Sequence, residues 1–310
     1  LSPIGKVHWN KYRKRYLIAG VSALDYIALF KNFTYTEYPN YRLDTIAQLE
    51  LGRGKIEYDG NLDQLFRDDI EKFIEYNLVD VELVVDMDKK LQFIDLARAI
   101  CHAGHVFYED FLFSSKWLEG AILTFLRRNG RVAPNKPLRK ARNEDGSEGE
   151  DKFIGAYVKQ PKPGLYKWVY DLDLTSLYPS IIMTLNISPE AKIGKIQDWD
   201  ANKFVKGEVD TYYIGDDSIS KENLKQYLEQ SKFSVASNGV LYRTDKVGCI
   251  PGILNLWFDK RVEYKNEMKK YGKAGNKEKY AFYHKRQLVQ KILLNSLYGV
   301  LGLPAFRFYD

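Results

Sequence analysis

The sequence predicts an α/β chain of several domains, α+β in arrangement, and three observations carry that expectation. At 310 residues the chain exceeds one typical domain, so two or three are expected. Short strand-like runs and long helical ones succeed one another along it. A proline-, glycine- and charge-rich stretch, APNKPLRKARNEDGSEGED (residues 133–151), reads as a loop or linker that divides them. Composition fits an ordinary globular protein, with 45% hydrophobic and 28% charged residues. No run approaches the roughly 18 apolar residues of a membrane span, and no signal peptide is expected. Cys101 and Cys249 match no metal or redox spacing, so a reducing compartment, and with it a cytoplasmic location, is expected.

Taken in order, residues 1–92 mix strand-like runs (YLIAGVSAL, KIEY) with helical ones. The clearest helix starts near Asp69 and continues through the arginine and isoleucine before Cys101, with Phe73, Ile74, Leu78, Val81, Leu83 and Val84 at helical spacing. After the linker, GAYVKQPKPGLYKWVYDLDL (155–174) has strand character, and residues 191–247 are polar and irregular. A helix is expected from Ile253 to about Tyr271, a break at GKAGN (272–276), and a second helix from Lys277 to Tyr298, stopped by Gly299. Two helices joined by so short a turn form an antiparallel hairpin. Between Asp259 and Lys291 eleven Lys or Arg face four Asp or Glu, a local +7 against +6 for the whole chain. A polyanion partner suits such a stretch; a solvated helix face laced with ion pairs is the plainer alternative.

Two stretches carry candidate chemistry. In YDLDLTSLYPSII (170–182) a buried strand would place Asp171 and Asp173 on one face. Desolvating a carboxylate without a partner is costly, and a carboxylate at a strand end is a good Mg²⁺ ligand. Pro179 is expected at the first position of a helix, whose exposed N–H groups form a site for phosphate. Carboxylate and phosphate cradle together are what metal-assisted phosphoryl transfer needs. A strand-end aspartate capping a turn beside a buried tyrosine is the alternative. In QLVQKILLNSLYG (287–299), Gln287, Lys291, Asn295 and Tyr298 fall on one helical arc, backed by apolar residues. Arg261 and Lys265, four apart, share a face of the preceding helix. Together these positions suit a triphosphate, although each alone also reads as a surface charge.

DLTSLYPSII and KILLNSLYG resemble motifs A and B of the family B DNA polymerases, in the right order, and FDKRVEYK between them resembles the first helix of that family's fingers. YNLVDVELV (76–84) is similar to the third motif of its proofreading exonuclease, and YRLDTIAQLELGRGKIEYDG to the segment before it. FIGAYVKQPKPGLY resembles the connection between exonuclease and polymerase domains, with Phe153 replacing a tyrosine and Ala156 a glycine. FSVASNGVLYRTDKVGCIP and LNISPE look most like the replicative polymerases of large tailed phages. The resemblance implies that residues 1–92 are the C-terminal part of a ribonuclease H-like 3′–5′ exonuclease domain and 93–144 a linker or return segment. It makes 145–247 the first part of a palm with an antiparallel sheet, 248–302 helical-hairpin fingers, and 303–310 the start of the return to the palm.

It also implies roles. Asp173 becomes the metal-binding catalytic aspartate, with the Leu174 carbonyl as a further metal ligand, and Asp171 becomes peripheral. Backbone N–H groups at Ser176, Leu177 and Tyr178 hold the triphosphate tail, and Tyr178 lies beneath the incoming sugar, selecting deoxyribose. Arg261, Lys265, Lys291 and Asn295 bind the β- and γ-phosphates, while Tyr298 and Gly299 lie against the nascent base pair. In the exonuclease, Asp80 is a metal ligand and Tyr76 orients the attacking water, whereas Asp25 reads as a structural carboxylate near a helix start. The implied cofactors are two Mg²⁺ per active site, with Mn²⁺ as a substitute. The implied partners are primer-template DNA, dNTPs, and a sliding clamp with replisome proteins contacted through parts outside this chain. The chain opens without Met and ends after an apolar helix, so a fragment of a longer polymerase is expected, lacking the second catalytic aspartate. A non-catalytic DNA-binding module, one subunit of a split polymerase, and a protein-primed polymerase are the competing readings.

Overall fold

A computed structural model describes residues 2–11, 14–34, 36–136 and 158–309. Most of the expected linker, together with Phe153 and Ala156 of the domain connection, lies outside the described residues. The chain divides into two compact units, Leu1–Phe125 with Lys260–Leu293, and Leu126–Asp259 with Leu294–Asp310.

The first unit opens with an antiparallel hairpin of β1 (Val7–Asn10) and β2 (Arg15–Ile18). Helices α1 (Tyr26–Phe33), α2 (Leu43–Leu51), α3 (Leu62–Asp68) and α4 (Ile70–Leu91) follow. Asp25 does cap a helix start, its carboxylate accepting the Ile27 N–H at 3.0 Å. Asp69 likewise caps α4 by accepting from the Lys72 N–H. The single helix expected from Asp69 onward is two helices, because Gln92 adopts φ 58°, ψ 37° and ends α4 before α5 (Phe93–Gly104) begins. KIEY belongs to no strand; the Lys55 N–H bonds the Asp44 carboxylate at 2.8 Å instead of a neighbouring strand. α2 and α3 pack on α4, and α1 packs on α5. Phe30, Ile46 and Met87 are buried in one of the resulting clusters and Leu29, Ala97 and Cys101 in another. α6 (Ser114–Arg128) approaches the end of α5 so closely that a Cβ on Gly120 would lie 2.1 Å from the Gly104 carbonyl oxygen. Glycine is required for that contact.

In the second unit, α7 (Leu177–Leu185) leads to five short strands: β3 (Lys192–Lys195), β4 (Thr211–Ile214), β5 (Asp217–Ser220), β6 (Phe233–Val235) and β7 (Val240–Arg243). The stretch read as irregular therefore carries five strands, with β3–β7–β6 antiparallel and β4–β5 a hairpin turned at Gly215, φ 60°. α8 (Ala201–Lys206) and α9 (Lys221–Ser231) complete this layer around Ile196, Tyr212, Ile219, Leu224 and Leu241. Leu241 lies on the central strand and is 1% exposed. Leu241→Ala is expected to cost about 2–5 kcal/mol through lost burial and a residual cavity, readable as a lowered urea midpoint.

Two long helices follow, α10 (Cys249–Lys273) and α11 (Lys277–Leu301), and the unit division falls within both. α10 starts four residues before the expected Ile253, because LNISPE caps it. The Asn186 carbonyl accepts the Gly248 N–H at 2.9 Å, the Ser188 hydroxyl accepts from Ile250 N–H, and the Glu190 carboxylate accepts from Cys249 N–H. Burial opposes the Glu190 charge, yet the bonds from Ser188 and Cys249 outweigh it and hold its pKa below the ordinary value. The helices are antiparallel, with Tyr271 and Tyr283 stacked at 5.5 Å across the pair. α11 does not stop at Gly299 but continues to Leu301. Among the described residues no helix is long and apolar enough to cross a membrane.

Candidate functional site

In the first unit α4 carries Tyr76 and Asp80 four residues apart, so both project from one face. A third residue joins them. Lys55 places its ammonium 2.7 Å from Asp80 Oδ2 and donates to the Tyr76 hydroxyl at 3.0 Å. The Tyr58 ring meets Tyr76 edge-on at 5.2 Å. The side chains of Lys55 and Asp80 are 27% and 26% exposed, so the pair is partly withdrawn from water. Burial would lower the Lys55 pKa, but the bonds to Asp80 and Tyr76 prevail and raise it. Asp80 Oδ1 is buried and has no partner among the described residues. A buried carboxylate oxygen with a vacant lone pair fits a hard cation. Among the described residues no group of three or more His, Cys, Asp or Glu side chains surrounds a common point, so Asp80 is a single potential ligand.

The same unit holds the basic face of the hairpin. Lys265 has its pKa lowered, first by Arg261, then by burial, then by Lys269 and Lys291. Burial lowers Arg261 as well. Three neighbouring cations thus disfavour the charge on Lys265, and a polyanion would offset them.

In the second unit the expected strand at residues 170–174 does not form. Tyr170, Leu172 and Leu174 are 85%, 79% and 68% exposed, and Asp171 and Asp173 are solvated. A strand needs a neighbour for its N–H and C=O groups, and none among the described residues pairs with this one. The turn behaves differently from the expectation too. α7 begins at Leu177 rather than Pro179, after Ser176 in the left-handed region at φ 51°. Pro179 therefore sits in the first turn, where its missing N–H leaves no gap in the helix ladder. The N–H groups of Leu177 and Tyr178 point out of the helix start.

Tyr178 and Tyr298 converge. Their rings are stacked with centroids 4.1 Å apart and planes 11° from parallel, and both are about half exposed. The exposed face of α11 includes Lys291, Asn295, Tyr298 and Gly299, over a buried row of Leu293, Leu294, Leu297 and Val300. Gln287 does not join it; at 8% exposure it lies in the buried face. Nothing lies within 4 Å of where a Gly299 Cβ would be, so the space over this glycine is open.

The solvated carboxylate, the helix start and the paired aromatic surface belong to the second unit, and the basic face of the hairpin to the first. Residues 113–309, more than half of the chain, match the model of DNA polymerase family B, and the chain belongs to that family. It is 28% identical to the DNA-directed DNA polymerase of Escherichia phage RB69 over 98% of its length and 36% of that protein. To the DNA-directed DNA polymerase of Enterobacteria phage T4 it is 29% identical over its whole length and 38% of that protein. In fold it is similar to the family B DNA polymerase from Pyrobaculum calidifontis, with a TM-score of 0.66 and 22% identity over 98% of this chain and 35% of that one. The chain thus spans little more than a third of the relatives it matches.

Proposed function

We propose that this chain is part of a template-directed DNA polymerase that adds dNTPs to a primer 3′ end and proofreads with a 3′–5′ exonuclease. The stacked meeting of Tyr178 and Tyr298, from segments 120 positions apart in sequence, carries the reading. A flat aromatic wall beside the amides of Leu177 and Tyr178 suits a deoxynucleotide whose sugar lies on Tyr178 and whose base pair lies along Tyr298 and the open surface at Gly299. Asp173, with the Leu174 carbonyl, would hold Mg²⁺, or Mn²⁺ in its place, two ions per complete site. Such ions neutralise charge on the transferred phosphate and activate the attacking oxygen. Ser176 and Leu177 contribute the turn that receives the phosphates, and Arg261, Lys265, Lys291 and Asn295 contact the triphosphate tail. Tyr76, Asp80 and Lys55 belong to the exonuclease, where Asp80 binds metal and Tyr76 positions water. The domain reading follows: exonuclease to residue 92, palm from 145, fingers from 248.

The partner carboxylates would come from outside residues 1–310, as would contacts to a sliding clamp and other replisome proteins. A non-catalytic DNA-binding module is the rival, but it has no need for Asp173, Tyr178, Lys291 and Asn295 together. Lys291→Ala in the complete polymerase is expected to lower kcat/KM for dNTP about tenfold or more, the worth of one charge-assisted phosphate contact. An unchanged kcat/KM would remove Lys291 from the site, and no extension by the complete protein with Mg²⁺ and dNTPs would favour the module.

A further inference from the structure

Within the first unit, α5, α10 and α11 enclose an open groove of about 440 Å³ that the proposed polymerase and exonuclease chemistry leaves unused. Arg98 and His102 line it from α5, Tyr264 from α10, and Arg286 and Gln290 from α11. Three features mark it as more than a gap between helices.

Gln290 is 8% exposed, and its Oε1 is buried with no partner among the described residues. An unsatisfied buried carbonyl is costly, and this one borders the groove, where a ligand N–H or O–H can reach it. Arg286 forms no ion pair among the described residues; its guanidinium rests 5.8 Å over the Tyr264 ring and 4.2 Å over the Phe282 ring. An arginine held by ring faces keeps its donors for another acceptor. Arg98 reaches the groove from the opposite helix. Its acidic neighbour Asp95 is shared, 3.8 Å from Arg98 and 3.3 Å from Lys285, so one carboxylate is divided between two cations. The His102 ring, stacked on Tyr108 at 13°, adds a flat surface to the wall.

We propose that this groove binds one nucleotide unit, with its phosphate between Arg98 and Arg286 and a base N–H donated to Gln290 Oε1. Two guanidinium forks match phosphate geometry, the rings suit a stacked base, and every nucleobase of DNA carries an N–H donor. The unit is either a free nucleoside monophosphate or one residue of a single strand. This inference rests on the groove alone and stands apart from the polymerase reading.

Titration calorimetry of the chain with dAMP and, separately, with a trinucleotide of deoxyadenosine distinguishes the sources. Tighter binding of dAMP assigns a free nucleotide, and tighter binding of the trinucleotide assigns a strand. In either case Arg98→Gln combined with Arg286→Gln should weaken binding about tenfold or more. Gln290→Leu keeps the buried volume but removes the acceptor, and should also weaken binding, so the result does not hang on the double variant folding. Absence of heat with both probes, or binding unaffected by the arginine and Gln290 variants, overturns the proposal.

Discussion

Asp173→Asn in the complete polymerase is expected to reduce primer extension by about three orders of magnitude or more, since a lost metal ligand removes several kcal/mol of transition-state stabilisation. The fold should barely respond. Asp173 is exposed, and among the described residues no hydrogen bond or ion pair occupies its carboxylate. Surface substitutions of that kind lie within about 0.5 kcal/mol of neutral. Asp171 supplies the control, because it is just as exposed and lies two positions away. Asp171→Asn should retain nearly full extension, measured as kcat with Mg²⁺ and a primed template. If the two variants fall equally, the preference for Asp173 is lost. If Asp173→Asn instead lowers the unfolding midpoint in parallel with activity, its role is structural.

How this site reads from sequence depends on the range of the forces involved. The hairpin of α10 and α11 was legible because 25-residue helices repeat their apolar positions many times. The break at Gln92 was not, since no glycine or proline marks it. Strands of three or four residues, as in β3 to β7, are too short for alternation to stand out from a polar background. The extended run ending at Asp173 shows the opposite failure. Its apolar character is plain in the sequence, but a strand is a property of two segments, and no described segment pairs with it. Tyr178 and Tyr298 could each be marked from motifs, whereas their stacking is a tertiary fact. Lys55 went unmarked for a similar reason. It lies 21 and 25 positions before Tyr76 and Asp80, and it is one of 47 basic residues in the chain.

That missed lysine makes the second large effect interpretable. Asp80→Asn in the complete polymerase should lower 3′–5′ exonuclease activity about a thousandfold while primer extension persists, because the proposed polymerase site uses Asp173 and not Asp80. The same substitution should reverse the behaviour of Lys55. With Asp80 present its pKa is raised above the ordinary 10.5, the bonds to Asp80 and Tyr76 overcoming the burial that alone would lower it. A raised lysine contributes stability that is full below its ordinary pKa and is lost as pH climbs through the raised value. Removing the carboxylate leaves burial as the largest influence, so Lys55 should titrate below its ordinary range. The charged lysine then opposes folding at neutral pH, and the variant recovers stability as pH rises through the lowered value. NMR of ¹³C-labelled lysine side chains would follow this resonance directly, with urea unfolding between neutral and strongly alkaline pH as the thermodynamic counterpart. A Lys55 titration unchanged by Asp80→Asn would mean that the 2.7 Å contact does not govern its charge. Retained exonuclease activity would instead remove Asp80 from the metal site, and the two readouts separate those outcomes.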